Sequence, residues 1–307
     1  MILVVKRFRN EDDLKKEVQI FQKDAENLFI QKKEIKQLFV GCLWAEGPVY
    51  LRCKEILVWS DIPFNRMLYY DPKNDSSGVF RYPSNFSNGN STDLEGNLIS
   101  AEHGRRAISK TNEYGEVSII SNKYDEKKLN SPNDLITKSD GTIWFTDPQY
   151  GIKTNFEGYQ SPSELGFNGV YMIENNGKTH LMTSDIEGPN GIAFSPDEKT
   201  LYVTDTGKSG MIYSFKVTKN KISNKKIFAK PRPGSPDGIK VDVNGNVFSS
   251  AWDGVQIFSP DGDLLAKIQL PEQRTANLCF GGTNYDQLYI TSDKSLYSIK
   301  MKTFSKA

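Results

Sequence analysis

The segment 129-LNSPNDLITKSDGTIWFTD-147 reads as one β-hairpin with a chemical group at its entrance. Asn133 and Asp134 stand at the start of a first strand. Asp140-Gly141 makes a tight turn, and Thr142 to Asp147 returns as a β-branched and aromatic strand. The same pattern recurs five more times with changed residues. EGPVY (46–50) leads to ILVWSD (56–61), and NGNSTDLEG (88–96) leads to NLISAE (97–102). GPNGIAFSPDEK (188–199) leads to TLYVTD (200–205), SPDGIKVDVNG (235–245) to NVFSSA (246–251), and ANLCFGGTNYD (276–286) to QLYITS (287–292). The recurrence sets the fold, and the residue at the head of each copy sets the chemistry.

Aligned on their second strands, the copies place Trp59, Ile99, Trp144, Tyr202, Phe248 and Tyr289 at equivalent positions, at intervals of 40, 45, 58, 46 and 41 residues. Units of this length, each with several short strands, indicate an all-β fold: a six-bladed β-propeller with four antiparallel strands per blade. The first unit predicts strands near 48–53, 56–60, 66–71 and 78–82, and the fifth near 238–243, 246–251, 254–259 and 263–269. The sixth unit runs out after its third strand, Ser295 to Lys300, so the strand read at Glu34 to Val40 is expected to supply its outer edge and close the ring. Residues 32–307 then form a single domain, preceded by an arm at 1–31. In the arm, Asn10 stands where it would cap a short helix with Leu14, Val18, Phe21 and Ala25 on one face. The charge density equally suits an irregular surface arm. The longest interval owes its excess to 148–169, a Gly-, Pro-, Asn- and Tyr-rich loop. Loops of this length in a compact domain are usually functional or mobile. It reads as a wall over one mouth of the channel, offering Tyr150 and Tyr159 to a substrate, or as a plain surface insertion.

The chain has 307 residues, 37% of them hydrophobic, and a net charge of +1 with both signs interspersed. That charge creates no long-range field, which disfavours nucleic acid and anionic membranes as partners. The three cysteines, Cys42, Cys53 and Cys279, are not a disulfide framework; they read as free thiols, with a Cys42–Cys53 bridge as the alternative. The apolar start at Met1 to Val5 gives way at once to Lys6, Arg7 and Arg9, and no run approaches a membrane span. The expectation is a soluble cytoplasmic protein, monomer or homodimer.

Counting back 11 to 13 residues from each second-strand anchor reaches Glu46, Asn88, Asn133, Asn190, Asp237 and Asn277. Each copy thus carries a carboxylate or carboxamide at one structural position, and Gly follows in four of them, at Gly47, Gly89, Gly191 and Gly238. First strands line the channel of a propeller, so these side chains should converge on its axis. Left alone, converging oxygens repel or go unsatisfied. A hard divalent cation resolves that, and oxygen donors without Cys or clustered His suit Ca2+ better than Zn2+. Asn-Gly and Asp-Gly also make ordinary turns, but six in register at hairpin entrances are not explained that way.

The chain resembles the senescence marker protein/gluconolactonase family of regucalcin-like six-bladed propellers, most closely its bacterial gluconolactonase-like branch. The resemblance is carried by GCLWAEGPVY (41–50), LVWSDIPFNRMLYYD (57–71), NGNSTDLEGNLISAEHGRRAI (88–108), LNSPNDLITKSDGTIWFTDPQYGI (129–152), GPNGIAFSPDEKTLYVTDT (188–206) and SPDGIKVDVNGNVF (235–248). It implies a calcium-dependent hydrolase of sugar lactones such as gluconolactone, with Zn2+, Mg2+ or Mn2+ as alternative occupants. It also implies that Glu46, Asn133, Asn190 and Asp237 are the metal ligands, which leaves Asn88 and Asn277 to meet substrate or water. Animal members hold substrate with an Arg two residues before the second of these ligands. Here that position is Ser131, so substrate contacts are expected from Arg105, Arg106 or the 148–169 loop.

Lactone hydrolysis needs a polarised carbonyl, an activated water and a stabilised oxyanion. Because calcium acidifies bound water less than zinc does, a carboxylate base is expected, with Asp237 the first candidate and Glu46 the second. Asp134 is either a secondary base or a group that orients the ligands. His103 either touches substrate or makes structural hydrogen bonds, and Arg105 and Arg106 are either an anion clamp or a solvated face. No G-x-S-x-G elbow and no nucleotide-binding loop is present in a fitting context. Two alternatives stand beside a lactonase: a phosphotriesterase-like or other-lactone hydrolase on the same scaffold, and a non-catalytic calcium-binding propeller.

Overall fold

The computed structural model describes residues 16–305. Six antiparallel sheets follow one another along the chain as the blades of a propeller. Blade one is formed by Ala45–Leu51, Ile56–Asp61, Arg66–Asp71 and Ser76–Arg81. Blade three contains the hairpin of residues 129–147, with strands Leu135–Thr137 and Ile143–Asp147, followed by Gly169–Ile173 and Thr179–Thr183. Blade five has Ile239–Val241, Val247–Ala251, Gly254–Phe258 and Leu264–Gln269, within a residue or two of expectation. In blade six, Ile35–Val40 pairs with Ser295–Lys300, so the N-terminal strand closes the ring. Neighbouring inner strands contact one another all the way round.

The core is a set of seams between sheets. Trp59 and Tyr289 pack in the seam of blades one and six, and Trp144 in that of blades three and four. Tyr202 lies between blades four and five, and Phe248 between five and six. All six aligned anchors are buried, so the recurring aromatic or branched residue is the one each blade gives to its neighbour.

Two regions differ from simple expectation. Glu17–Ile20 is a strand, not a helix, and pairs with Leu264–Gln269 as a fifth strand of blade five. That outer strand would otherwise leave a row of backbone groups unpaired, while Val18 and Ile20 pack against the seam below. A short 3-10 helix, Lys23–Leu28, then buries Ala25 and Leu28 between blades five and six. Leu14 and Asn10 lie outside the described residues. The loop after blade three's second strand contains one helical turn, Tyr150–Lys153. All three cysteines are free, Cys42 and Cys279 buried and Cys53 exposed. No helix among the described residues is long and apolar enough to cross a membrane.

Candidate functional site

The six head residues sit where the inner strands leave regular pairing. Register shifts fall between Glu46 and Val49, Ser87 and Asn90, Pro189 and Ile192, and Thr275 and Asn277. In blades three and five the ladder begins only after the head residue, at Leu135 and Ile239. Such irregularities re-aim side chains. They also explain the recurring glycine. A Cβ on Gly47 would lie 2.0 Å from the Asn88 carbonyl, one on Gly89 2.5 Å from that of Asn133, and one on Gly191 2.3 Å from that of Asp237. Each glycine makes room for the head residue of the next blade. Hydroxyls on the second strands then stitch the ring together: Ser60 donates to the Asn88 carbonyl at 2.7 Å, Thr146 to Asn190 at 2.6 Å, and Thr204 to Asp237 at 2.6 Å. Sequence reading missed these hydroxyls, although a Ser or Thr recurs in every second strand.

Five of the six head residues, Glu46, Asn88, Asn133, Asn190 and Asp237, line one cavity of about 330 Å³. The 148–169 loop covers it as a wall, contributing Tyr150, Lys153, Thr154 and Glu157. Ser131 anchors that wall: its hydroxyl donates to the Pro148 carbonyl at 2.6 Å and accepts from the Gly151 amide at 3.0 Å. Ser131, where the family resemblance leads one to expect a substrate-holding Arg, therefore holds the loop here. Asp147 fixes the same turn by accepting from the amides of Asn130 and Ser131.

The remaining expected residues lie elsewhere. Asn277 does not line the cavity; its Oδ1 accepts from the Leu278 amide at 2.8 Å, and its side chain also hydrogen-bonds Glu46. Asp134 lies outside the lining as well, with Oδ1 accepting from Leu135 and Oδ2 3.9 Å from the Lys240 ammonium. His103 is buried behind Asn88. Arg105 pairs with Glu102, and Arg106 donates to the Leu129 carbonyl and pairs with Glu164 of the loop, so neither faces the cavity. Tyr159 is exposed and packs edge-on against Phe86. Glu157, Lys153 and Thr206 are lining residues that no sequence pattern singled out.

Burial raises the Glu46 carboxyl above its usual range, and the Asp134 carboxylate adds to it, against the Gly47 amide and Asn277. Asp237 is raised for the same first reason, with Glu46, Asp134 and Glu157 as like charges around it. Around these carboxyls, Asn88 Oδ1, Asn190 Oδ1, Asp237 Oδ1 and Asp134 Oδ2 are buried without a hydrogen-bond partner. Asn190 is turned oxygen-inward because its Nδ2 donates to the Thr206 hydroxyl at 3.0 Å. Buried oxygens without donors are costly. A cradle of acceptor oxygens carrying two carboxylates fits a hard cation. Among the described residues no three His, Cys, Asp or Glu side chains converge to hold a metal, so the cradle depends on its carboxamides.

The family described as SMP-30/Gluconolactonase/LRE-like region matches residues 44–294, from just before Glu46 to the last turn of blade six. The chain belongs to this family. It is 33% identical over 287 residues to the gluconolactonase of Zymomonas mobilis, covering 85% of this chain and 79% of that protein. It is 26% identical to the pentonolactonase XacC of Haloferax volcanii, covering 82% of each. Among solved structures, a gluconolactonase of Xanthomonas campestris superposes with a TM-score of 0.89 at 34% identity, over 92% of this chain and 94% of that one. Family membership and the six-bladed fold both agree with the sequence reading.

Proposed function

We propose that this family member is a lactone hydrolase acting on a sugar or aldonic acid lactone of the gluconolactone type, with a divalent cation, Ca2+ by its donor set, held by Glu46, Asn133, Asn190 and Asp237. The observation that carries the reading is that Asn88, Asn190 and Asp237 each bring a partnerless oxygen to one walled cavity that Glu46 and Asn133 also line; the activity named for relatives sharing over four-fifths of the chain supports it. When bound, the cation supplies Lewis-acid polarisation of the lactone carbonyl and stabilises the oxyanion. The chain's own groups do the rest. Tyr150 and the loop wall close the cavity over the lactone. Asp237 accepts a proton from the attacking water at the carboxylate oxygen that would not hold the cation, as the new C–O bond forms. The ring C–O bond then breaks, and the proton passes to the departing ring oxygen, giving the open hydroxy acid. Asp134, outside the cavity lining, acts on this site through its charge, which raises Glu46 and Asp237. The test is acid release from D-glucono-1,5-lactone, corrected for spontaneous opening. Absence of any enzymatic rate on this lactone and on pentonolactones, with hydrolysis of a phosphotriester instead, would move the assignment to the phosphotriesterase alternative.

A further inference from the structure

His103 is 1% exposed, and both its ring nitrogens are engaged. Nδ1 lies 2.9 Å from the backbone carbonyl of Glu157, in the loop wall. Nε2 lies 3.3 Å from Nδ2 of Asn88, in the ring of head residues. A carbonyl can only accept, so Nδ1 carries the proton. Burial keeps the imidazole neutral, pulling its pKa down to about 4, and Nε2 is then an acceptor. The Asn88 amide must give its NH2 to the ring, which leaves Oδ1 buried, without a partner, on the cavity wall. The loop side of this arrangement is equally constrained. A Cβ on Gly151 would lie 2.4 Å from His103 Cγ, and one on Gly158 2.2 Å from the Gly151 carbonyl. The helical turn at Tyr150–Lys153 is therefore seated directly on the imidazole. The backbone of His103 is fixed in turn by its amide donating to the Phe86 carbonyl at 3.0 Å.

We propose that His103 is a positioning residue that links the loop wall to Asn88, turning the Asn88 oxygen into the cavity as an acceptor for a substrate hydroxyl, so that the seated loop selects hydroxylated lactones over lactones without a hydroxyl. The substrate half of this inference rests on the lactonase reading; the tautomer and the orientation of Asn88 do not. The two functions of the imidazole separate by substitution. His103→Asn keeps a donor near the Nδ1 position and loses the acceptor for Asn88. His103→Gln places an amide near the Nε2 position and loses the donor to Glu157.

The experiment compares D-glucono-1,5-lactone with δ-valerolactone, which has no hydroxyl, and measures metal affinity alongside. For His103→Asn, kcat/KM on the hydroxylated lactone should fall about tenfold through KM, the value of one hydrogen bond to a buried acceptor. The rate on δ-valerolactone and the affinity for Ca2+ should stay within about twofold. His103→Gln should keep the preference for hydroxylated lactone better than His103→Asn while making the loop more sensitive to proteolysis. Equal losses on both lactones, or a fall in Ca2+ affinity in step with activity, overturn the hydroxyl assignment. A second readout needs no turnover. The chain has two histidines, so in His180→Gln protein the nitrogen NMR spectrum reports His103 alone. A neutral ring protonated at Nδ1 is expected. A proton found on Nε2 would force Asn88 to face the cavity with its NH2 and overturn the positioning role whatever the activity. If the wild-type protein hydrolyses neither lactone, the lactonase reading falls and the hydroxyl assignment with it, while the tautomer still decides the positioning role.

Discussion

Replacing Thr206 by Val removes one hydroxyl and almost no volume, and the structure makes its consequences specific. The Thr206 hydroxyl accepts from Asn190 Nδ2 at 3.0 Å and donates to the Pro236 carbonyl at 2.8 Å. The same hydroxyl also hydrogen-bonds Tyr150, and together with a hydrogen bond to Asp237 it leaves Asn190 Oδ1 facing the cavity. Each neutral hydrogen bond contributes about 1 kcal/mol net, so losing both should cost about 2 kcal/mol and lower the melting temperature by about 4 °C. The larger interest is in the cation. With the carboxamide held by Asp237 alone, the oriented ligand loses about 1 kcal/mol, and Ca2+ binding should weaken roughly fivefold. Calorimetric titration of the metal-stripped protein measures this directly. Thr206→Ser keeps the hydroxyl and should restore wild-type affinity. A Thr206→Val protein that melts lower but binds Ca2+ as tightly as wild type would refute the argument that Thr206 orients a ligand.

Other outcomes follow from the same geometry. Because Glu46 and Asp237 hold their protons more tightly in the metal-free fold than in the unfolded chain, chiefly through burial, folding takes up protons as pH rises out of the ordinary carboxylate range. The melting temperature of metal-stripped protein should therefore fall between about pH 5 and about pH 8, and added Ca2+ should flatten that slope; a metal-free melting temperature that rises over the range contradicts the assignment of the pair. Gly151→Ala pushes a methyl into the His103 ring, an overpacking that costs about 1–3 kcal/mol. It should raise KM while calorimetry still finds the metal bound, and unchanged KM would show that the wall does not contact substrate. Phe29→Ala opens the seam between blades five and six, where Phe29 is 1% exposed. It should cost about 3–5 kcal/mol by denaturant titration and leave the specific activity of the folded fraction intact.

Much of this molecule was legible in the chain because each blade repeats one hairpin. The interval between Trp59 and its equivalents, and the polar residue 11 to 13 positions before each, are properties of sequence order. They carried over as the seam anchors and the head residues of the inner strands. What sequence order does not carry is which way a head residue turns once pairing breaks. Asn277 has the same position in its repeat as Asn190, yet its oxygen is taken by the neighbouring Leu278 amide, while Thr206 leaves that of Asn190 free for the cavity. His103 looked like a residue beside two arginines. Its role comes from Glu157, brought over it by a loop whose path no periodicity encodes. The strand at Glu17–Ile20 was hidden for a related reason: its partner, Leu264–Gln269, lies at the far end of the chain, and local helical spacing of Val18, Phe21 and Ala25 competes with that pairing.

The most direct test of the account is acid release from D-glucono-1,5-lactone by metal-stripped protein, with Ca2+, Mg2+ or Zn2+ added back, beside an Asp237→Asn variant and with the spontaneous rate subtracted. Turnover is expected only with metal present, with a loss of at least about a hundredfold in the variant, since a ligand and a proton acceptor are removed together. Full activity in the metal-stripped protein, or an Asp237→Asn variant that turns over like wild type, would contradict it.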